Sequence, residues 1–135
     1  MPTTPNSIIT TQGINTQQVV TTAAKTTYND LVNAVLAYTA GPNGAVVYGV
    51  TALPRANVTA SQLQLYRSPD GTAAFFEKSV VMPVYNFSDI TAPTQTDFGY
   101  SETVPLRLEP NERLYVANRV ALAGGVSWSV AGEDL

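Results

Sequence analysis

The stretch that decides the fold class is residues 61–82, SQLQLYRSPDGTAAFFEKSVVM. Its first seven residues alternate strictly, with Leu63 and Leu65 on one face and Gln62, Gln64 and Tyr66 on the other, as expected of a half-buried β-strand. The tetrapeptide SPDG at 68–71 follows as a turn, because proline fixes φ and the Asp-Gly pair tolerates turn conformations. Residues 73–82 then read as a returning strand. The sequence therefore predicts a β-hairpin centred near Asp70.

The rest of the chain repeats this pattern of short apolar runs separated by turn residues. Further strands are predicted at residues 17–24, 45–53, 104–108, 113–120 and 126–130. Strands at this spacing, without a convincing long helix, favour an all-β fold. We expect an antiparallel β-sandwich, jelly-roll-like, with about eight strands.

Residues 28–40 are ambiguous between helix and strand. Leu31, Val35 and Tyr38 have helical spacing, whereas 32–38 also alternates in the manner of a strand. The turn sequence GPNG follows at 41–44. We predict a strand at 32–39 that forms a hairpin with 45–53.

The length of 135 residues suggests one domain, predicted at 17–135, behind an extended N-terminal arm at 1–16. The arm holds two prolines and a short apolar patch of Ile8, Ile9 and Ile14. It reads either as a frayed terminus or as an arm that lies along a neighbouring subunit.

Residues 83–103 form the least regular stretch and carry the aromatic residues Tyr85, Phe87, Phe98 and Tyr100. Long aromatic connections of this kind commonly pack against a sheet and often have a function. Trp128 alternates with Ser127 and Ser129 in the last predicted strand, so it is expected in the core.

Composition excludes several classes of function. Cys and His are absent, which removes disulfides, thiolate nucleophiles, the usual zinc sites and Ser-His-Asp triads. Net charge is −3 and the seven basic residues are scattered, so tight nucleic-acid binding is not expected. Charged residues make up only 13% of the chain. A neutral polar surface lowers the desolvation cost of binding other proteins over a large area.

Catalysis would need carboxylates, Lys, Tyr or Ser. The acidic residues lie mostly in predicted turns, which argues against a hydrolase with paired carboxylates. Neither Lys25 nor Lys78 has an apolar setting on both sides, which argues against a Schiff-base lysine. Calcium suits the available ligands, but SPDG is too short for an EF-hand loop. We predict no enzyme activity, no cofactor and no metal.

The chain is expected to have neither a signal peptide nor a membrane span. Residues 1–6 lack the basic region and the long apolar run of a signal peptide. The sequence also contains no run of about 18 apolar residues, the length that is needed to span a membrane.

Two stretches together carry a family resemblance. In the first, TALPR at 51–55 ends a strand, and LQLYRSPDG at 63–71 runs into a turn. The second holds PLRL at 105–108, NERLYVA at 111–117 and VALAGGV at 120–126. This layout, over about residues 30–130, resembles small virion structural proteins of tailed bacteriophages, which include capsid decoration (cement) proteins and minor head or tail proteins.

The resemblance implies a β-rich protein that is made in the bacterial cytoplasm, binds the major capsid protein or another virion protein on the outer capsid surface, and often trimerises. Attachment is predicted through Ile8, Ile9 and Ile14 of the arm, and secondly through the 83–103 loop with Tyr85 and Phe87. The alternatives are a tail, collar or fibre-associated adaptor and a carbohydrate-binding β-sandwich.

Overall fold

The computed structural model describes residues 15–135, in which nine β-strands form and no helix does. Accordingly, this part of the chain offers no helix with the length and apolarity to cross a membrane. The strands are β1 (Asn15–Thr21), β2 (Val35–Thr39), β3 (Ala45–Pro54), β4 (Ser61–Ser68), β5 (Phe75–Met82), β6 (Thr96–Asp97), β7 (Leu106–Leu108), β8 (Arg113–Asn118) and β9 (Val126–Asp134).

The strands form two antiparallel sheets that face each other across one core. Sheet A has the order β1-β9-β3-β6, with β7 also paired to β3, and sheet B has the order β2-β8-β4-β5. Apart from the β4–β5 hairpin and the β6–β7 connection, each connection between consecutive strands crosses from one sheet to the other. This is the strand order of a jelly roll in which β6 and β7 share the position of one strand. The predicted fold class is confirmed.

All eight predicted strands are present, with shifted ends. The ninth is β6, a two-residue strand inside the stretch predicted to be irregular. Residues 35–39 form a strand and not a helix, as predicted, although it begins three residues later than expected. Strand β1 starts at Asn15, so the last two residues of the predicted arm belong to the sheet. Residues 1–14 lie outside the described part of the chain.

The predicted hairpin around residues 41–44 is wrong. Strand β2 pairs with β8 in sheet B, whereas β3 pairs with β9 in sheet A. The GPNG segment therefore carries the chain between sheets, with Gly44 at a φ of 92°. A turn sequence specifies a reversal of direction, but not which strand will be the hydrogen-bonding partner.

The predicted hairpin of β4 and β5 is confirmed, with Ser61 opposite Met82 and Arg67 opposite Phe75. Its turn is held by Asp70, whose Oδ1 accepts hydrogen bonds from the backbone N–H of Thr72 at 2.8 Å and of Ala73 at 2.9 Å. These bonds to the ionised side chain lower the pKa of Asp70.

The core lies between the sheets and includes Trp128, as predicted. The Trp128 ring is fully buried, lies 5.5 Å from the Phe98 ring centroid to centroid, and donates from Nε1 to Thr21 Oγ1 at 2.8 Å. Leu63 and Leu65 point into the same core.

The β1–β2 connection, residues 22–34, folds over the outer face of sheet B. Lys25 on this connection is fully buried. Its Nζ donates to Asp30 Oδ1 at 2.7 Å and to the Val32 carbonyl at 3.1 Å, and it lies 5.0 Å from the centroid of the Tyr66 ring. Lys25 is thus enclosed mainly by polar groups, and the sequence pattern did not predict its burial. The connection also buries Gln64 and Tyr66, which alternate with the core leucines and would otherwise face solvent.

Candidate docking surface at the loop end

Four connections meet at one end of the sandwich, which we call the loop end: residues 22–34, 55–60, 83–95 and 119–125. Their backbones bond to one another directly. Leu122 N–H donates to the Thr22 carbonyl at 2.9 Å, and Arg55 N–H donates to the Gly125 carbonyl at 3.1 Å. Val58 and Tyr85 exchange two backbone hydrogen bonds, at 2.9 and 3.1 Å. These bonds give the loop end a defined shape.

Exposed apolar side chains are concentrated at the loop end. Ile90 is 96% exposed and Val84 is 61% exposed. The apolar set at this end comprises Val20, Leu53, Val81, Val84, Phe87, Ile90 and Val120, whereas Tyr28, Val32, Leu36, Phe75, Phe76 and Val104 are exposed apolar residues outside this set. Single exposed apolar residues are common on proteins, whereas a group of them at one end is typical of an interaction site.

Charged side chains are concentrated at the opposite end, where β2, β4, β7 and β9 finish. There the Arg67 guanidinium donates to Glu112 Oε1 from Nε at 3.1 Å and from Nη2 at 2.5 Å, and the Glu112 carboxylate also accepts from Glu109 N–H at 3.0 Å. The same end carries Asp70, Arg113, Glu133 and Asp134. The opposite end therefore holds the larger share of the charges, although the loop-end connections also carry Lys25, Asp30, Arg55, Asp89 and Arg119.

The predicted site residues Tyr85 and Phe87 both lie at the loop end. Tyr85 is buried, and its hydroxyl donates to the Thr91 carbonyl. Phe87 is 46% exposed and packs edge-on against Tyr85 with 5.0 Å between ring centroids. Asn57 Oδ1 accepts from Phe87 N–H at 2.7 Å and ties the 83–95 segment to the neighbouring connection. The other predicted contacts, Ile8, Ile9 and Ile14, lie outside the described residues.

A cleft of about 370 Å³ opens beside this aromatic pair. It is lined by Tyr85, Phe87, Ser88, Asp89, Thr91 and Pro93. Its walls combine one exposed ring with hydroxyl groups and a single carboxylate. Such a lining suits a ligand that packs against the ring and forms hydrogen bonds with the hydroxyl and carboxylate groups.

Several titratable side chains of the fold are buried or hydrogen-bonded, which shifts their pKa values. Burial raises the pKa of Tyr66 to about 12 and that of Tyr100 to about 12, so both phenols keep their protons at neutral pH. The hydrogen bond from Lys25 lowers the pKa of Asp30 to about 2. Between residues 15 and 135, acidic side chains do not gather in threes as a metal site would require.

Comparison with protein-family models, curated proteins and solved structures finds no match to this chain. The loop end therefore has to be interpreted from its own residues.

The sequence pattern indicates the 83–103 loop but not most of the apolar set. Val84 and Ile90 sit in a segment without periodicity, so no strand pattern indicates whether they face inward or outward. Val20, Leu53 and Val120 are distant in sequence and meet only through the crossing connections of the jelly roll. A usable signal was present in Val84 and Ile90, because both are large apolar residues among turn-forming neighbours.

Proposed function

We propose that this chain is a non-enzymatic structural protein that docks through its loop end, and that it serves as a capsid decoration protein on the outer surface of a tailed-phage head. Its partner would be the major capsid protein or another virion protein.

The observation that carries the proposal is the group of exposed apolar side chains at the loop end. These side chains form no hydrogen bonds with water, so a partner can cover them without the desolvation cost of a polar group. A charged end kept in water maintains solubility after attachment. This arrangement suits a protein that is fixed to a surface by one end.

The jelly roll is consistent with the proposal, because viral capsid proteins use it, as do lectin domains. A fold does not specify a function, so this support is secondary to the site itself. The family resemblance of the sequence adds to it.

Immunogold electron microscopy tests the location. Antibodies against the purified chain are applied to particles of the virus that encodes it. Gold over the heads is the expected result. Gold confined to tails or collars would contradict the decoration function and support the adaptor function. Particles without gold would contradict both functions.

A binding experiment tests the loop end itself. Particles stripped of the protein are incubated with recombinant chain, either unaltered or carrying Val84→Ser with Ile90→Ser. If each side chain is an anchor worth about 1–2 kcal/mol, the double variant should bind roughly 100-fold more weakly. Val104→Ser is the matched control, because Val104 is equally exposed, at 65%, but lies outside the loop end. Equal binding by the double variant and the control would rule out the loop end as the docking surface.

The cleft beside Phe87 favours a second candidate, carbohydrate binding. An exposed ring next to hydroxyl groups and a carboxylate can stack on a sugar and bond its hydroxyls. A glycan array probed with the intact protein tests this candidate. Hits lost in Phe87→Ala would support it, and an array without hits would exclude it.

A further inference from the structure

The free edges of the two sheets differ in how they are protected against pairing with another strand. Edge strands are normally blunted by bulges, by inward-pointing charges or by being very short. Strand β2 has an irregularity between Leu36 and Tyr38. Strand β5 has one opposite Leu65 and Tyr66, and Lys78 lies opposite the core residue Leu65. The fourth edge is divided between β6 and β7, which have two and three residues.

Strand β1 carries none of these protections. It pairs with β9 in unbroken register over seven residues, from Asn15 opposite Gly132 to Thr21 opposite Val126. Its sequence, NTQQVVT, has no charge and no proline. Among residues 15–135, β9 is the strand that pairs with β1, so the outer row of β1 N–H and C=O groups is unpaired within this part of the chain.

A groove of about 250 Å³ lies directly beside this edge, where the sandwich opens between β1 and β2. Gln17 and Val19 line it from β1, and residues 36–39 line it from β2. A strand added to β1 would cover this groove with its inward-facing side chains. The open edge and the groove thus call for the same occupant, an extended strand.

We propose that this occupant is β1 of a second copy of the chain, added antiparallel about a two-fold axis with Gln18 opposite the second copy's Gln18. In this register Gln17 lies opposite the second copy's Val19, so residues of the same sheet face remain together. Because β1 is uncharged, two identical strands meet without like-charge repulsion. The sheets A of the two copies then form one continuous sheet.

The inference goes beyond the docking function and does not depend on it. Antiparallel pairing points the two loop ends in opposite directions, and of the apolar set only Val20 belongs to the paired strand. Pairing of identical edges closes at two copies, unlike the trimer that the family resemblance implies.

The mass in solution tests the pairing. Light scattering on the full chain should give twice 14.4 kDa. A mass of one chain would overturn the proposal. A mass of three chains would overturn it equally.

Single cysteine variants locate the interface, because the chain contains no cysteine of its own. Opposite residues of an antiparallel pair have Cα atoms about 4.5–5.5 Å apart, which a disulfide can bridge. Gln18→Cys should therefore form a disulfide-linked dimer when treated with diamide. Ser129→Cys is the matched control, since Ser129 pairs with Gln18 on the same sheet but lies one strand further from the axis. Equal cross-linking of both variants, or of neither, would contradict the register.

A lysine pair completes the test. Gln18→Lys places like charges at the axis and should give a protein of single-chain mass, whereas Ser129→Lys should keep the dimer. Neither position lies in the loop end, so both variants should bind stripped particles normally. Loss of dimer with retained particle binding would separate this inference from the proposed function. A dimer that survives Gln18→Lys would refute it.

Discussion

Lys25 offers the sharpest test of how the β1–β2 connection is held on sheet B. Its side chain is fully buried, and its Nζ contacts three oxygens, those of Thr27, Asp30 and Val32. Removing the ammonium group leaves the Asp30 carboxylate, on a side chain that is 40% exposed, with the hydrogen bonds that it accepts from Thr27 Oγ1 and Val32 N–H. We expect the four-carbon stem of Lys25, more than its charge, to stabilise this connection.

Two substitutions separate these contributions. Lys25→Ala deletes a buried chain comparable to that of methionine and should destabilise the fold by about 3 kcal/mol. Lys25→Met keeps the volume and a favourable contact with the Tyr66 ring, and should cost about 1 kcal/mol for the lost hydrogen bonds. For a domain of this size each kcal/mol lowers Tm by about 4 °C, so the expected losses are about 12 °C and about 4 °C.

Thermal unfolding followed by the fluorescence of Trp128, the only tryptophan, measures both losses. The comparison variant is Lys78→Ala, because Lys78 is the other lysine and is exposed, although its Nζ donates to the Phe98 carbonyl at 2.6 Å. Its loss should stay near that of a surface substitution, within about 1 kcal/mol. The reasoning fails if Lys25→Met loses as much as Lys25→Ala, since the charge would then be the dominant contribution, or if Lys25→Ala unfolds like the unaltered chain.

Two further predictions concern pH and backbone conformation. Because the Asp30 pKa falls from its ordinary 3.8 to about 2 on folding, its stabilisation is complete above about pH 4 and is lost as the pH falls towards 2. Tm measured over this window should fall more steeply for the unaltered chain than for Asp30→Asn, and parallel curves would contradict this. Gly44→Ala should cost more than about 2 kcal/mol in urea unfolding, because Gly44 has a φ of 92° and an added Cβ would lie 2.7 Å from the Leu108 carbonyl oxygen. Gly49→Ala, whose Cβ would meet no atom within 4 Å, should change stability far less, and equal losses would show that the conformation of Gly44 is not the cause.

The sequence predicted the elements that depend on neighbouring residues. The β4–β5 hairpin follows from alternation at residues 61–67 and from a turn whose side chain Asp70 bonds its own backbone. Both signals are local, so they can be recognised without knowledge of the rest of the fold. The same holds for Trp128, whose neighbours on either side are serines.

What the sequence could not predict depends on residues far apart in the chain. The GPNG turn gave no sign that β2 and β3 belong to different sheets, because sheet membership is decided by pairing with β8 and β9. Lys25 is buried since its connection crosses Gln64 and Tyr66, which lie about 40 positions further along the chain. Local pattern alone assigns all three polar side chains to solvent.

The low charged fraction of the chain is distributed unevenly between the two ends of the domain. A charged fraction of 13% would suit a surface that is neutral everywhere, but the larger share of the charges lies at one end, and more than half of the exposed apolar residues of the described chain lie at the other. The jelly roll creates this separation, because its crossing connections bring four sequence-distant loops to the same end. The 83–95 loop contributes three residues of the apolar set, the 119–125 loop contributes Val120, and the other three members lie at the ends of strands. The loop end is therefore a property of the topology, and changes that weaken its cross-loop bonds, such as removal of the Asn57 side chain, should weaken attachment without removing any apolar contact.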